Sequence, residues 1–368
     1  MKKAFFYVLL TMVLILSGCV NGKTNNANNS GPSDSDKLKV VLLIPGTLGD
    51  KSFFDAANKG LQKVKEELGA ETKVIEMGAD NTKWEPTFNQ VVSQGWDIII
   101  SGGSQGTELL NATAEKHPDK KFINYDTDIT DTADNVYSVG YAVNEASFLA
   151  GATAALVSIS DMPNANPDKK IGFLGGMDIP GINTFLVGYI EGAKYAVPDI
   201  KVVVSYAGVF TDPGKGKELS LLQYNSGVDV IFTAAGGTGL GVFDAAKEKQ
   251  GYAIGVDSDQ GSMIAETDKD KANLILTSSV KKIDEVILSA VKEIQDGTAK
   301  MGSHKVVGID NNGVDIIEND IYNRVVSADI RTKVNEIRGK LASGEIKVSD
   351  AMGMETSEIE KIRQSVKP

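Results

Sequence analysis

The sequence predicts an α/β protein of two doubly wound lobes, each a mostly parallel sheet covered by helices. Three observations lead there. From Leu38 onward short β-branched runs alternate with stretches of helical apolar spacing, which is the rhythm of a parallel sheet. Most runs end in a break that carries glycine or aspartate. The chain has 368 residues, more than one hydrophobic core usually organises.

At the N-terminus, Met1, Lys2 and Lys3 precede an apolar run from Ala4 to Leu16, the charged and apolar regions of a secretory signal. The run is too short to span a bilayer as a helix. It ends in Leu16-Ser17-Gly18-Cys19, the lipobox pattern of bacterial lipoprotein signals, and Cys19 is the single cysteine of the chain. A residue directly behind a cleaved apolar region has no core to join, so removal of residues 1–18 and diacylglyceryl attachment at Cys19 are expected. Residues 19–37 then form a lipidated tether, since Asn21 to Asp36 is almost wholly Asn, Ser, Gly, Asp, Thr and Lys and cannot bury a core. As a coil it spans roughly 20–25 Å. No later apolar run approaches the ~20 residues of a spanning helix.

Lys39 to Ile44 is apolar after its first residue, as in a strand buried on both faces. The helix after it places Phe54, Ala57, Leu61, Val64 and Leu68 on one face. Further strands are expected at Asp97–Ser101, Lys121–Tyr125, Ile171–Leu174, Lys201–Ser205, Asp229–Thr233 and Tyr252–Val256. These units are too many for one small sheet and too few for two large ones. A closed eight-stranded barrel is the other topology for such alternation, but beyond Lys300 the rhythm is broken by strand-like runs such as Val314 to Ile317.

The net charge of −11 argues against binding nucleic acid or an anionic membrane surface. Ligands of open parallel sheets bind beyond the carboxyl ends of the strands. There stand Pro45-Gly46-Thr47, Gly102-Gly103-Ser104, Asp126, Gly175-Gly176-Met177-Asp178, Gly236-Gly237-Thr238-Gly239 and Asp257. Singly, a glycine after a strand only makes a turn. Together these residues line a cleft, with backbone approach at the glycines and acceptors at two aspartates. Gly236 to Gly241 lacks both a Gly-Lys-Ser/Thr motif and a dinucleotide fingerprint, and carboxylates at Asp126 and Asp257 would repel a phosphate. Acceptors suit ligand hydroxyls or amines.

Catalysis finds little support. His117 and His304 stand away from the strand ends, and no His-Glu-x-x-His or Cys-x-x-Cys occurs; Gly102-Gly103-Ser104-Gln105-Gly106 has the Gly-x-Ser-x-Gly spacing, but neither histidine stands at a strand's carboxyl end to act as its base. The acidic stretch from Asp126 to Asp131 lacks the sixth-position glycine and twelfth-position glutamate of a calcium loop. Neither a metal nor a cofactor is expected.

Six segments carry a resemblance. Leu48-Gly49-Asp50-Lys51-Ser52-Phe53, Glu145-x-x-Phe148-Leu149-Ala150-Gly151, Gly172 to Met177, Gly236 to Gly239, Ile254 to Gln260 and Thr277-Ser278-x-x-Lys281 resemble the basic membrane protein family of lipoproteins, which includes the purine nucleoside receptor type. The resemblance covers most of residues 38 to 320. It implies a type I periplasmic-binding-protein fold with three crossovers between the lobes, and a receptor, not an enzyme, that delivers solute to an ABC permease and its ATPase. In the nucleoside-binding members two rings sandwich the base while Asp and Lys side chains hold the ribose. Carried over, Phe53 and Phe210 are the stacking rings, Asp126, Asp257 and Lys281 the polar contacts, and Gly237 a backbone contact. Asp50, Ser52 and Phe54 are flanking candidates.

Nucleoside-binding relatives tend to read Asp-Asp-x-Ser-Phe-Asn at the first loop, whereas this chain reads Gly49-Asp50-Lys51-Ser52-Phe53-Phe54. An amide and a carboxylate are absent and a second ring is present. The alternatives to a nucleoside are therefore a flavin-like or sugar-like solute. A surface nucleoside hydrolase using Asp126 as base is the reading of another class, and it lacks an acid partner. The expected lobes are 38–140 with 278–300, and 141–277 with 301–330, followed by a helical tail at 331–368. Hinge motion is expected near residues 140 and 277, in a monomer.

Overall fold

Six of the seven apolar runs become central strands, because a strand covered by helices on both faces must be apolar on both sides, and the seventh, at Lys201–Ser205, lies at a sheet edge. The structure is a computed structural model that describes residues 37–368 apart from Ser104. The signal sequence, Cys19 and most of the tether lie outside the described residues. The strands are β1 (Lys39–Ile44), β2 (Glu71–Glu76), β3 (Ile98–Gly102), β4 (Lys121–Tyr125), β5 (Val136–Tyr141) and β6 (Lys170–Gly175). They continue with β7 (Lys201–Tyr206), β8 (Val230–Ala234), β9 (Tyr252–Asp257), β10 (Ile275–Lys281), β11 (Ser303–Val307) and β12 (Val314–Ile316).

The strands form two sheets of the same design. The first runs β11-β5-β4-β3-β1-β2 and the second β12-β10-β9-β8-β6-β7. Every pairing is parallel except that of β12 with β10. The strand order therefore reverses between β1 and β3 in one lobe and between β6 and β8 in the other. Such switch points open a crevice at the carboxyl ends of the two strands.

Three connections join the lobes: β5 to the helix Val143–Ser158, β10 to the helix Ile283–Gln295, and β11 to β12. They are bonded side by side. Ala142 N donates to Val307 O at 2.9 Å and Lys282 N to Gly313 O at 2.9 Å. Glu145, from the second quoted segment, accepts the Ile309 N–H at 2.8 Å. The helix Ile283–Gln295 packs on Phe53–Leu68 in the first lobe, where Asp284 pairs with Lys59 at 2.9 Å and Lys63 at 2.8 Å.

Two boundaries differ from the sequence reading. Residues 303–307, expected in the second lobe, pair with β5 of the first sheet. Residues 278–281, expected in the first lobe, complete β10 of the second. The reason is that the chain changes lobe after each of these strands, and a crossing leaves no mark in apolar periodicity.

The second lobe is organised around the helix Val143–Ser158, buried on nearly every side. It lies against Pro180–Ala196, where a methyl group at Gly192 would overlap the Phe148 carbonyl and one at Gly151 the Tyr189 carbonyl. The tail packs on the same lobe. Its helix Ala328–Ala342 buries Ile330, Val334, Ile337 and Leu341, and Val202 N on β7 donates to Val366 O at 2.9 Å, which covers part of that strand's outer edge. Arg363 reaches the end of β6 and β7, binding Asp178 at 2.7 Å and the Tyr206 hydroxyl at 2.8 Å.

Candidate functional site at the switch points

The loop after β1 is held by two carboxylates. Asp50 accepts the N–H groups of Ser52 (3.0 Å), Phe54 (3.0 Å) and Asp55 (3.2 Å), and thereby caps the helix Phe53–Leu68. Asp55 accepts those of Gly49 (2.9 Å) and Lys51 (2.8 Å). The fixed loop projects two rings onto strand ends that only glycine keeps open. Phe53 lies over Gly103, with ring atoms 3.2 and 3.3 Å from where a Cβ would stand, and a Cβ on Gly46 would overlap Phe54. The two rings meet edge to face at 5.4 Å. Phe53 also lies 5.3 Å from the Tyr125 ring.

The second lobe repeats the device. The segment after β7 carries Phe210, whose ring fills the space that a Cβ on Gly176 would take. Its backbone is pinned: Val209 N donates to Gly176 O at 3.0 Å and Thr238 N to Phe210 O at 2.9 Å. Gly237 faces both lobes, since a Cβ there would lie 3.3 Å from the Phe210 carbonyl and 3.9 Å from Asp50 Cβ. Each switch point thus carries aromatic surface bedded on glycine, Phe53 and Phe54 at the first and Phe210 at the second.

A chain of charges runs across the cleft. Lys281, at the end of β10 and 6% exposed, pairs with Asp126 of the first lobe at 2.8 Å and lies 3.3 Å from Asp257 of its own. Its ammonium stands 4.6 Å from the centre of the Phe53 ring and 5.4 Å from that of Phe185, within cation–π range. Ser52 Oγ donates to Asp257 Oδ2 at 2.6 Å. Both aspartates adopt left-handed backbone, φ 62 at Asp126 and φ 64 at Asp257, a conformation that non-glycine residues seldom take and that recurs at functional sites.

Burial opposes the charge on Lys281, but the carboxylates of Asp126 and Asp257 outweigh it and hold the ammonium above its ordinary pKa. Burial pushes Asp50 up to about 6, against the lowering effect of the N–H groups it accepts. Tyr125 and Tyr141 lie beside this cluster with buried hydroxyls that lack a hydrogen-bond partner. Burial, and then the charge of Asp126, raises both.

The structure therefore brings Asp50, Ser52, Phe53, Phe54, Asp126, Phe210, Gly237, Asp257 and Lys281 to one place, while Cys19 and Ser104 lie outside the described residues. Sequence reasoning passed over Tyr125, Tyr141 and Phe185. Tyr125 is legible in retrospect as the residue before Asp126, whereas Tyr141 ends a strand with no apolar run and Phe185 sits inside a helix. His304 is placed elsewhere, on β11 beside the Ser138 hydroxyl at 2.9 Å. Among the described residues no three His, Cys, Asp or Glu side chains group as metal ligands, and no helix is long and apolar enough to cross a membrane.

Comparison with known proteins agrees with this architecture. The sequence profile described as ABC transporter substrate-binding protein PnrA-like matches residues 37–351. A CD4+ T-cell-stimulating antigen of Listeria innocua is 31% identical over 369 residues, covering 95% of this chain and 99% of that protein. The ABC transporter nucleoside-binding protein BmpA of Lactococcus lactis is 31% identical over 351 residues, covering 91% and 96%. Among solved structures, an ABC transporter solute-binding protein from Aeropyrum pernix superposes with a TM-score of 0.80 at 25% identity, covering 89% of this chain and 97% of that one. The fold is the type I periplasmic-binding-protein fold, and the chain belongs to the PnrA-like family of ABC transporter substrate-binding proteins.

Proposed function

We propose that the cleft captures a nucleoside, with a purine nucleoside as first choice, and that the chain presents it to an ABC importer from the outer face of the membrane, held there by lipid on Cys19. One observation carries the reading: both switch points offer an aromatic ring bedded on glycine, and the Asp126–Lys281–Asp257 chain lies beside them. Phe53 and Phe210 take the two faces of a flat base, at roughly 1–3 kcal/mol for each base–ring contact. Asp257, Lys281 and Asp126 take the sugar hydroxyls, where a hydrogen bond to a charged group contributes about 1.5–3 kcal/mol. Two carboxylates against one ammonium leave the site acidic, which favours a nucleoside over its phosphate. The name of the Lactococcus lactis relative points to the same ligand class.

Titration calorimetry with inosine, adenosine, uridine and riboflavin tests the proposal. The purine nucleosides should bind at micromolar or lower Kd, about −8 kcal/mol or better, and Asp257→Ala should weaken them by about tenfold to a hundredfold. Tight binding of riboflavin alone, or an unchanged Kd in the variant, would overturn it. Incubation with inosine should release no free hypoxanthine; steady release would favour the hydrolase reading instead.

A further inference from the structure

Serine at a helix N-cap ordinarily turns its hydroxyl back to accept an N–H of the first turn. Ser52 occupies that position before Phe53–Leu68 and makes no such bond. The Asp50 carboxylate has already taken the N–H groups of Phe54 and Asp55. The Ser52 hydroxyl is thereby released to cross the cleft, where it donates to Asp257 Oδ2 at 2.6 Å. Both side chains are buried, Ser52 at 0% and Asp257 at 7% exposure. A longer bond runs the other way, from Ser258 Oγ to the Ser52 carbonyl at 3.4 Å. The second oxygen of Asp257, Oδ1, is buried and has no hydrogen-bond partner; Lys281 Nζ is its neighbour at 3.3 Å, in ion-pair contact without hydrogen-bond alignment.

We infer that Ser52 is a positioning residue that ties the lobes across the cleft and fixes the Asp257 carboxylate in one rotation, with Oδ2 engaged and Oδ1 presented to a ligand. The presentation half rests on reading the cleft as the ligand site; the tie between lobes does not. Oδ1, as a buried acceptor without a hydrogen-bond partner, selects a ligand that offers an O–H or N–H there, and a solute that offers only acceptors at that point is refused. The bond also favours the closed arrangement, so closure stands nearer to balance before ligand arrives and less of the ligand's affinity is consumed in driving it.

The test uses the full chain with Ser52→Ala and Ser52→Gly, both of which remove the hydroxyl without adding bulk, each checked by thermal melting for an intact fold. Small-angle scattering of the ligand-free protein reads the tie, and calorimetry with inosine reads presentation. Both variants should show a larger ligand-free radius of gyration than wild type and about a tenfold higher Kd for inosine. In an Asp257→Ala background, removing the Ser52 hydroxyl should leave the radius of gyration unchanged, because its acceptor is already gone. A wild-type radius in both single variants, or an equal increase in the Asp257→Ala background, overturns the tie. An unchanged Kd overturns presentation. If wild type does not bind inosine at all, the reading of the cleft fails, and the scattering comparison still decides the tie.

Discussion

At the scale of single residues, the site depends on side chains placed where their usual preferences are overruled. Asp126 and Asp257 hold left-handed backbone, Lys281 is buried, and Asp50 sits with its carboxylate pushed up to about 6, by burial first and by the charge of Asp55 last, against lowering by three backbone N–H groups. An aspartate in the unfolded chain titrates near 4. Between about pH 4 and pH 6 the native state thus retains a proton that the unfolded state has released, so this group's contribution to stability falls as pH rises through that window and levels off above it. The full shift corresponds to at most about 3 kcal/mol. Asp50→Asn keeps an acceptor for the helix cap and removes the titration. Urea denaturation at pH 4 and pH 7 should show wild type losing about 1–3 kcal/mol relative to the variant, with Asp229, also pushed up to about 6 by burial, cancelling in the comparison. Parallel pH curves would contradict the assignment. Gly176→Ala puts a methyl group into the Phe210 ring; it should raise the Kd for inosine by about tenfold or more, as expected for loss of one stacked face, with the circular dichroism spectrum retained.

At the scale of elements, glycine and buried helix surface set how closely the parts approach. Gly188 and Gly192 meet the backbone of Asn144 and Phe148, so Gly192→Ala must separate two helices that together form the centre of the second lobe. It should lower the unfolding free energy by about 1–3 kcal/mol, the usual cost of overpacking, measured by urea denaturation; a variant as stable as wild type would show that the contact is soft. What the sequence reveals of the elements follows their burial. β1, β3, β4, β6, β8 and β9 are legible because helices cover both of their faces and demand mainly apolar residues, whereas β7, a partly buried edge strand, is legible from Val202 to Val204 alone. β2 lies at a sheet edge with polar residues facing solvent, and β11 is largely exposed, so neither produces such a run. β5 is interrupted by Ser138 and Gly140. β10 is buried throughout yet reads Ile-Leu-Thr-Ser-Ser-Val-Lys: Thr277 donates to the Ile317 carbonyl, Ser278 lies against Gly255, and Lys281 at its end reaches the site, so no apolar run marks it. The glycine and aspartate positions of the site were readable as strand ends, whereas Phe53 and Phe210 took their meaning only from the resemblance, since nothing in periodicity separates a cleft ring from a core ring.

At the scale of the molecule, two sheets of one strand order face each other with their switch points together, joined by three adjacent connections that lie in register through Ala142, Lys282 and Glu145. Bending at three adjacent connections would rotate the lobes about one axis, as hinge closure around a ligand requires. Every contact that crosses the cleft, from Asp126 to Lys281 and from Ser52 to Asp257, would be broken by opening. Ligand binding should therefore compact the protein in solution and, at 100 times the Kd, stabilise it by about 2.7 kcal/mol; scattering curves and melting temperatures identical with and without inosine would argue against closure. The most direct test is a crystal structure of the protein grown with inosine. The account predicts a base lying between the rings of Phe53 and Phe210 with a sugar hydroxyl on Asp257 Oδ1; a nucleoside bound away from these rings, or a cleft closed without it in the presence of saturating ligand, would contradict it.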